Sequence, residues 1–422
     1  MRAALGAFCL LVGLTARAAV PDVDPASLEL AGIARVVVAV RGLPLVAPLR
    51  VVTVDREEFG KRVRARVGAE RSAGDAAGEA LALIRLGLLD AGVDHAALLA
   101  DRYADELAGT YDPAAGEILV VDGLADEARR QLLAHEVAHA LQDRAFGLTR
   151  FLRPTTGNGD ARLARQALVE GDALATMIEW QRRVVGDTGD PWAEPGARAR
   201  DASVAGASGG RLARLPAVVR EAIAFPHEAG LRFVAELRRF HSWRRVDELY
   251  ARPPESTEAV LHPERFLAGE RPVRVAAPAP AVLAKWRVVH EDVLGEHLIG
   301  VWLRQHGVGA RQSGDAAEGW GGDRFRLYSP PGIGVPADLL LVSVSVWDAE
   351  LDAIEAHAAF AESLGALLGA SPTSRAGEVV RFTDGAGRIA LVERQGDRVL
   401  LVMGAPERLL AKLRAQVWRR AR

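Results

Sequence analysis

The sequence has very little cysteine, almost no net charge and no nucleotide-binding loop, and each absence excludes a class of protein. Its one cysteine is Cys9, so no disulfide bond within the chain holds the fold together. The formal net charge is −2, which provides no basic surface for nucleic acid or for an acidic membrane. The sequence Gly-Lys-Ser/Thr does not occur, which excludes the common phosphate-binding loop. We therefore expect no nucleic-acid partner.

The N-terminus has the three parts of a secretory signal peptide. Arg2 supplies positive charge, the apolar run AALGAFCLLVGLT follows, and Ala16-Arg17-Ala18 matches the small-residue cleavage pattern. The apolar run is too short to span a bilayer. We predict that residues 1–18 are a signal peptide removed before Ala19, and that the exported chain is periplasmic or secreted without stable membrane insertion. An uncleaved N-terminal anchor helix is the alternative.

The most informative motif is the H-E-x-x-H sequence formed by His135, Glu136 and His139. Its flanks show the apolar periodicity of a helix and end at Gly147. Side chains four residues apart on a helix lie on one face, about 6 Å apart. The two imidazoles can therefore bind one zinc ion, and Glu136 can act as general base on a zinc-bound water. The alternative is a surface helix that carries two histidines by chance.

Catalytic zinc usually has three protein ligands and leaves a fourth position for water. We predict Glu170 as the third ligand, in a second helical segment that ends near Gly186. A carboxylate between an apolar stretch and Gly171 is costly to bury unless it meets a cation. A solvated helix glutamate is the alternative. Three other acidic residues are weaker ligand candidates: Asp160, Asp172 and Glu179.

At these residues the chain resembles the gluzincin class of zinc metallopeptidases, in which a Glu from the next helix completes H-E-x-x-H. The segment L-V-E-G-D-A around Glu170 is similar to the third-ligand segment of the aminopeptidase branch. The E-x-x-x-D pairing of the thermolysin branch is absent because Leu174 follows Glu170 by four residues, and the aminopeptidase signature G-x-M-E-N is also absent. Asp143 and Asp172 are candidates for orienting the zinc histidines. The resemblance covers roughly residues 35–270.

The resemblance implies two further features of the site. In zincins a strand beside the metal helix binds an extended substrate along its edge, and we assign this role to Ile118–Val121. An internal strand with both edges filled is the alternative. Gluzincins also use a Tyr or His to stabilise the tetrahedral oxyanion, and His262 and Tyr250 are the candidates. We expect the remaining histidines to be structural or exposed: His95, His227, His241, His290, His297, His306 and His357.

The pattern of elements predicts an α+β protein with two domains. Residues 19–270 should form a zincin-like peptidase domain, a mixed sheet with active-site helices, which begins with two strands at Val36–Val40 and Leu49–Val54. Residues 187–215 collect Gly, Pro, Ser and Asp and should be a flexible insertion. Helices are predicted around Pro216–Ala224 and from about Glu228 to His241. Residues 271–281 should be a linker to a separate α+β domain of unknown role, residues 282–422.

A second sequence segment supports the resemblance. Residues 253–263, PPESTEAVLHP, are similar to a segment of uncharacterised secreted bacterial zincin-like proteins. Ser256 should cap a short helix that ends at His262-Pro263.

Three hypotheses about function follow. The first is an exported zinc-dependent peptidase that hydrolyses a peptide or protein substrate with zinc-activated water and Glu136 as base. The second is a zinc-containing binding or regulatory protein whose peptidase activity is weak or blocked, although an intact Glu136 argues against complete loss. The third is a zinc hydrolase of non-peptide amides such as cell-wall linkages. The sequence leaves the oligomeric state open.

Overall fold

The computed structural model describes residues 25–421, except residues 47, 70–72, 154–156, 188, 190, 193–214 and 333–337. The predicted signal peptide and most of the predicted insertion at residues 187–215 lie outside the described residues. The described chain mixes helices with two β-sheets, so the predicted α+β class is confirmed. Among the described helices, none has the length and apolar content needed to cross a membrane.

The first part of the chain is mainly helical. Its helices are α1 (Pro25–Arg41), α2 (Arg56–Ala69), α3 (Ala73–Arg85), α4 (His95–Glu106), α5 (Asp126–Phe146), α6 (Leu148–Phe151), α7 (Gly159–Val185), α8 (Ala217–Phe240), α9 (Trp243–Ala251), α10 (Thr257–Leu261) and α11 (Pro263–Leu267). Its strands are β1 (Arg50–Val54), β2 (Gly109–Asp112) and β3 (Glu117–Val121). They form one sheet in the order β1-β3-β2, in which β1 is parallel and β2 antiparallel to β3.

The strand predicted to bind substrate is internal. Because β3 pairs with β1 on one side and with β2 on the other, Ile118–Val121 has no free edge. All residues of β3 are also buried. The prediction that this strand offers its edge to a peptide is therefore wrong. The strand with the more extensive contact to α5, the helix of the H-E-x-x-H sequence, is β2.

The strand predicted at Val36–Val40 is also wrong, because these residues belong to α1. Valine-rich runs favour strands, but here the buried positions recur with helical spacing at Leu30, Ile33 and Val37. That face packs into the core beneath α5 and α7. Tertiary packing therefore outweighs the local β propensity.

The two helices predicted between Pro216 and His241 are one continuous helix, α8, with Pro226 inside it. This helix crosses α7 at very short distance. A Cβ atom built on Gly171 of α7 would lie 2.1 Å from the carbonyl oxygen of Gly230, and a Cβ on Gly230 would lie 2.1 Å from the carbonyl oxygen of Ala167. Only glycine at both positions allows the two backbones to meet in this way.

The second part of the chain is a seven-stranded antiparallel sheet covered by helices. Its strands are β4 (Arg287–Asp292), β5 (Trp320–Ser329), β6 (Leu340–Trp347), β7 (Ser374–Ala376), β8 (Val379–Thr383), β9 (Ile389–Gln395) and β10 (Arg398–Ala405), in the order β4-β5-β6-β10-β9-β8-β7. Its helices are α12 (Gly295–Gln305), α13 (Ala310–Glu318), α14 (Glu350–Leu368) and α15 (Glu407–Ala421).

The alternation of side chains along the central strand divides the second part into layers. In β10, Val399, Leu401 and Met403 pack with α12, α13 and α14 on one face of the sheet. Leu400 and Val402 pack with α15 on the other face. This is the period of two expected for a strand buried on both sides.

The two parts share a hydrophobic core. Residues of α3 and the turn after it, such as Leu83 and Leu86, lie in the same buried cluster as Trp302 and Trp347. The Trp302 Nε1–H group donates to the Leu86 carbonyl oxygen at 2.9 Å. Residues of both parts of the chain therefore build one buried cluster, while a second buried cluster beneath α15 consists of residues from Leu283 onward.

Candidate metal centre

The helices α5 and α7 carry the sequence-predicted site, and local signals fix their ends. Gly147 and Gly186 follow their C-termini in the left-handed conformation, which glycine adopts without steric cost. The Asn158 side chain accepts a hydrogen bond from the Ala161 N–H group and caps the start of α7. The two helices pack against each other, which brings their facing polar side chains together.

The structure brings His135, His139 and Glu170 together as one cluster. The Nε2 atoms of the two histidines are 3.0 Å apart, and each lies 3.4 Å from Oε2 of Glu170. In a tetrahedral zinc site with bonds of about 2.0–2.1 Å, ligand atoms lie about 3.3 Å apart. The three atoms therefore have the spacing that one zinc ion requires.

The Glu170 carboxylate lies among three imidazoles. Its Oε2 atom is buried and makes no regular hydrogen bond among the described residues, although the Nε2 atoms of His135, His139 and His227 each lie 3.4 Å away; a cation held among these groups, or a protonated imidazole, would compensate its charge. Burial raises the pKa of Glu170, but the neighbouring His139 and His227 more than offset this and hold the pKa well below its usual value. The carboxylate is therefore ionised and suited to bind a metal. The side chains of His135 and His139 are 13% and 12% exposed, so the cluster is open to water.

Gln142, one turn after His139, sets the orientation of that imidazole. The Nδ1 atom of His139 lies 2.9 Å from Oε1 of Gln142, and the Gln142 amide donates to the Val169 carbonyl oxygen at 3.0 Å. With Oε1 as an acceptor, Nδ1 carries the hydrogen and the Nε2 lone pair faces the cluster. Sequence reasoning missed Gln142, although its i+3 spacing from His139 was visible.

The two residues predicted to orient the histidines have other partners. Asp143 accepts hydrogen bonds from the Tyr111 hydroxyl group and from the Leu148 N–H group. Asp172 forms an ion pair with Arg41. Both predictions are therefore wrong.

Glu136 lies beside the cluster in a fixed orientation. Its side chain is buried, and Oε2 accepts a hydrogen bond from the Tyr111 N–H group of β2 at 2.6 Å. The Tyr111 N–H group points away from β3, so it is not used in the pairing of β2 with β3. The sheet therefore contributes to the site by fixing Glu136.

His227 lies beside the cluster. From the sequence we expect this histidine to be structural or exposed. Its Nε2 atom lies 3.4 Å from Oε2 of Glu170, and its Nδ1 atom lies 3.1 Å from the Ile223 carbonyl oxygen. Because a carbonyl oxygen only accepts, Nδ1 carries a hydrogen and Nε2 faces the site. The signal that could have indicated this position is the spacing to Gly230, which lies three residues later on the same face of α8.

Tyr250 is not near the cluster. Its hydroxyl group donates to Oδ2 of Asp172 at 2.8 Å, and its ring stacks on Phe146. Asp172 follows Glu170 by two residues, which is about 200° around the helix, so the two carboxylates point to opposite sides of α7. The hydroxyl group of Tyr250, a predicted oxyanion donor, is therefore directed at Asp172 and not at the three clustered residues. Its sequence position beside the Pro-rich segment gave no information about the direction of its side chain.

His262 also has other partners. Its Nε2 atom lies 2.9 Å from Oε1 of Glu296 on α12, and its Nδ1 atom lies 3.8 Å from Glu264. The hydrogen bond to Glu296 raises the pKa of His262. The structure thus places His262, the other predicted oxyanion donor, at the contact between the two parts of the chain and does not bring it to the cluster.

The three weaker ligand candidates have other hydrogen-bond partners. Asp160 accepts hydrogen bonds from the backbone and hydroxyl groups of Thr257, and Glu179 accepts them from Arg238 and Trp243. Asp172 pairs with Arg41. Glu170 remains the predicted third ligand that the structure brings to the two histidines.

Comparison with known proteins covers only the second part of the chain. A family model described as a domain of unknown function, DUF8575, matches residues 285–414. This region runs from the segment before β4 into α15, and the clustered residues His135, His139 and Glu170 precede it. No curated protein and no solved structure matches the chain.

Proposed function

We propose that this chain is an exported zinc-dependent peptidase of the gluzincin type, with zinc bound by His135, His139 and Glu170. The observation that carries the proposal is the spacing of the three ligand atoms, 3.0–3.4 Å, with Glu136 held beside them. A purely structural site would have no need of the adjacent carboxylate. The predicted signal peptide supports an exported location.

Zinc in this site would supply a Lewis acid and lower the pKa of a water molecule. Glu136 would be the base that accepts the proton of that water and passes it to the leaving amine. The Tyr111 N–H group holds Oε2 of Glu136, which leaves Oε1 as the oxygen for this transfer. Gln142 keeps Nε2 of His139 directed at His135 and Glu170, where it would bind the ion.

We assign the stabilisation of the tetrahedral oxyanion to His227, in place of Tyr250 and His262. Its Nε2 atom lies 3.4 Å from Oε2 of Glu170, and because Nδ1 already donates to the Ile223 carbonyl oxygen, His227 would donate to the oxyanion as the doubly protonated imidazolium. Its 36% exposed side chain is accessible to a bound substrate. The close crossing of α7 and α8 at Gly171 and Gly230 fixes this position.

Metal analysis of two variants tests the ligand set. Glu170→Ala should lose zinc, whereas wild-type protein should contain one zinc ion per chain. Glu228→Ala is the matched control, because Glu228 is an exposed glutamate next to His227 and should keep its zinc. Circular dichroism would establish that both variants are folded. Equal zinc content in folded Glu170→Ala and wild-type protein would remove Glu170 from the ligand set.

A further inference from the structure

A second group of possible metal ligands lies where the two parts of the chain meet. Glu258 of α10, Glu270 after α11 and Asp348 after β6 each place one carboxylate oxygen within 4.8 Å of the others. These oxygens come from both parts of the chain. None of the three residues belongs to the proposed zinc site.

Glu258 provides the observation that points to a ligand. Its side chain is only 4% exposed, and its Oε1 atom is buried with no hydrogen-bond partner among the described residues. Its Oε2 atom has only a long contact, 3.5 Å, with the Ser256 hydroxyl group. Glu258 lines a small cavity together with Glu270. A buried carboxylate oxygen without a partner is costly, and a bound cation would remove that cost.

The two arginines that line the cavity have other partners. Arg265 and Arg271 line the same cavity. Arg265 lies 3.4 Å from Oδ2 of Asp348 but also pairs with Glu318, and Arg271 donates to the backbone carbonyl oxygen of Glu270. Three carboxylates therefore meet two arginines that each have other partners.

We propose that Glu258, Glu270 and Asp348 bind one divalent cation of the calcium type. All three ligands are oxygen atoms, which calcium prefers and zinc does not require. Calcium–oxygen bonds of about 2.3–2.6 Å allow two ligand atoms on one ion to lie up to about 5 Å apart, so a group of oxygens within 4.8 Å of one another can share one calcium ion. Glu270 and Asp348 are exposed, so water completes the coordination.

The ion would link α10 and the segment after α11 to the end of β6. It would therefore hold the first part of the chain, which carries the metal helices, on the sheet of the second part. The proposal does not depend on the zinc site or on peptidase activity.

The test uses full-length protein dialysed against calcium-free buffer. Calcium is titrated in by isothermal titration calorimetry, and thermal unfolding is measured with and without 10 mM CaCl₂. The variants are Glu270→Gln and Asp348→Asn, because both positions are exposed and tolerate substitution. Glu264→Gln is the control, since this 70% exposed side chain on α11 lies outside the group. Zinc content is measured in parallel.

Wild-type protein and Glu264→Gln should bind one calcium ion and unfold a few degrees higher in its presence. Glu270→Gln and Asp348→Asn should bind calcium at least tenfold more weakly, with a smaller rise in the unfolding temperature and unchanged zinc content. Absence of calcium binding in the wild type would overturn the proposal. Equal calcium binding in all four proteins would also overturn it.

Discussion

Gly171 and Gly230 allow α7 and α8 to touch through their backbones, since a Cβ atom on Gly171 would lie 2.1 Å from the Gly230 carbonyl oxygen. Glu170 immediately precedes one of these glycines, and His227 lies three residues before the other. The contact therefore sets the 3.4 Å separation between Oε2 of Glu170 and Nε2 of His227. It links helix packing to the geometry of the candidate metal centre.

The first prediction concerns this contact. Gly171→Ala or Gly230→Ala should force the helices apart, lower the free energy of unfolding by about 1–3 kcal/mol and weaken zinc binding. The control is Gly32→Ala in α1, where a Cβ atom would have no neighbour within 4 Å. That change should be neutral or stabilising by about 0.5–1 kcal/mol. Urea denaturation and metal analysis measure both effects; a neutral result at both crossing positions would contradict the account.

The second prediction concerns the buried pair on the opposite side of α7. Arg41 Nε donates to Oδ1 of Asp172 at 2.7 Å, and both side chains are fully buried. Arg41→Ala would leave the Asp172 charge without its partner and should lower the free energy of unfolding by about 3–5 kcal/mol. Arg244→Ala is the control. Arg244 is 86% exposed in an i,i+4 pair with Glu248, so its loss should cost at most about 0.5 kcal/mol.

Equilibrium urea denaturation compares the two arginine variants. Similar decreases in the free energy of unfolding for both variants would show that the Arg41–Asp172 pair does not hold α7 in place.

The third prediction concerns His227. His227→Ala should reduce peptidase turnover about 100- to 1000-fold while zinc content stays at one ion per chain. Tyr250→Phe and His262→Ala remove the two residues that the structure places elsewhere, and both should keep turnover near the wild-type level. Kinetic measurements with zinc content determined for each protein test this. Normal turnover in His227→Ala would place the oxyanion donor on another residue.

The fourth prediction concerns Asp160, which lies between α7 and Thr257. Burial, together with the charges of Asp323 and Glu296, raises the pKa of Asp160 to about 8, although hydrogen bonds from Thr257 partly oppose the shift. Because the pKa is higher in the folded than in the unfolded state, the folded protein binds this proton more tightly. The stability that this bound proton contributes is fully present below about pH 4 and is lost as the pH rises to about 8.

Asp160→Asn should therefore flatten the pH dependence of stability. Between pH 4 and pH 8 the free energy of unfolding should fall with rising pH less steeply in the variant than in the wild type. The difference between the two slopes should be up to about 1.4 kcal/mol per pH unit. Urea denaturation at a series of pH values tests this. Parallel pH profiles for the two proteins would rule out Asp160 as the source of the slope.

The parts of the fold that the sequence predicts correctly depend on local signals. The ends of α5 and α7 follow from Gly147 and Gly186, and the turn between β9 and β10 follows from Gly396. The short helix α10 begins as predicted, with Ser256 accepting a hydrogen bond from the Ala259 N–H group. Each of these features is decided within a few residues of the chain.

The parts that the sequence does not predict depend on contacts between distant segments. Local β propensity at Val36–Val40 gives way to burial of one helical face, and the position of β3 between two strands is a property of the whole sheet. His227 reaches Glu170 only because two glycines 59 residues apart in the sequence meet. Tyr250 turns away from the site because Asp172 and Phe146 hold it.

We propose that Glu136 is the base in zinc-dependent hydrolysis of peptide bonds. The most direct measurement is casein cleavage by wild-type protein and by Glu136→Gln, with zinc content determined for both and peptidoglycan tested as the alternative substrate. The account predicts one zinc ion per chain in both proteins and casein cleavage by the wild type alone. Equal cleavage by Glu136→Gln, or a zinc-loaded wild type that cleaves peptidoglycan or neither substrate, would contradict it.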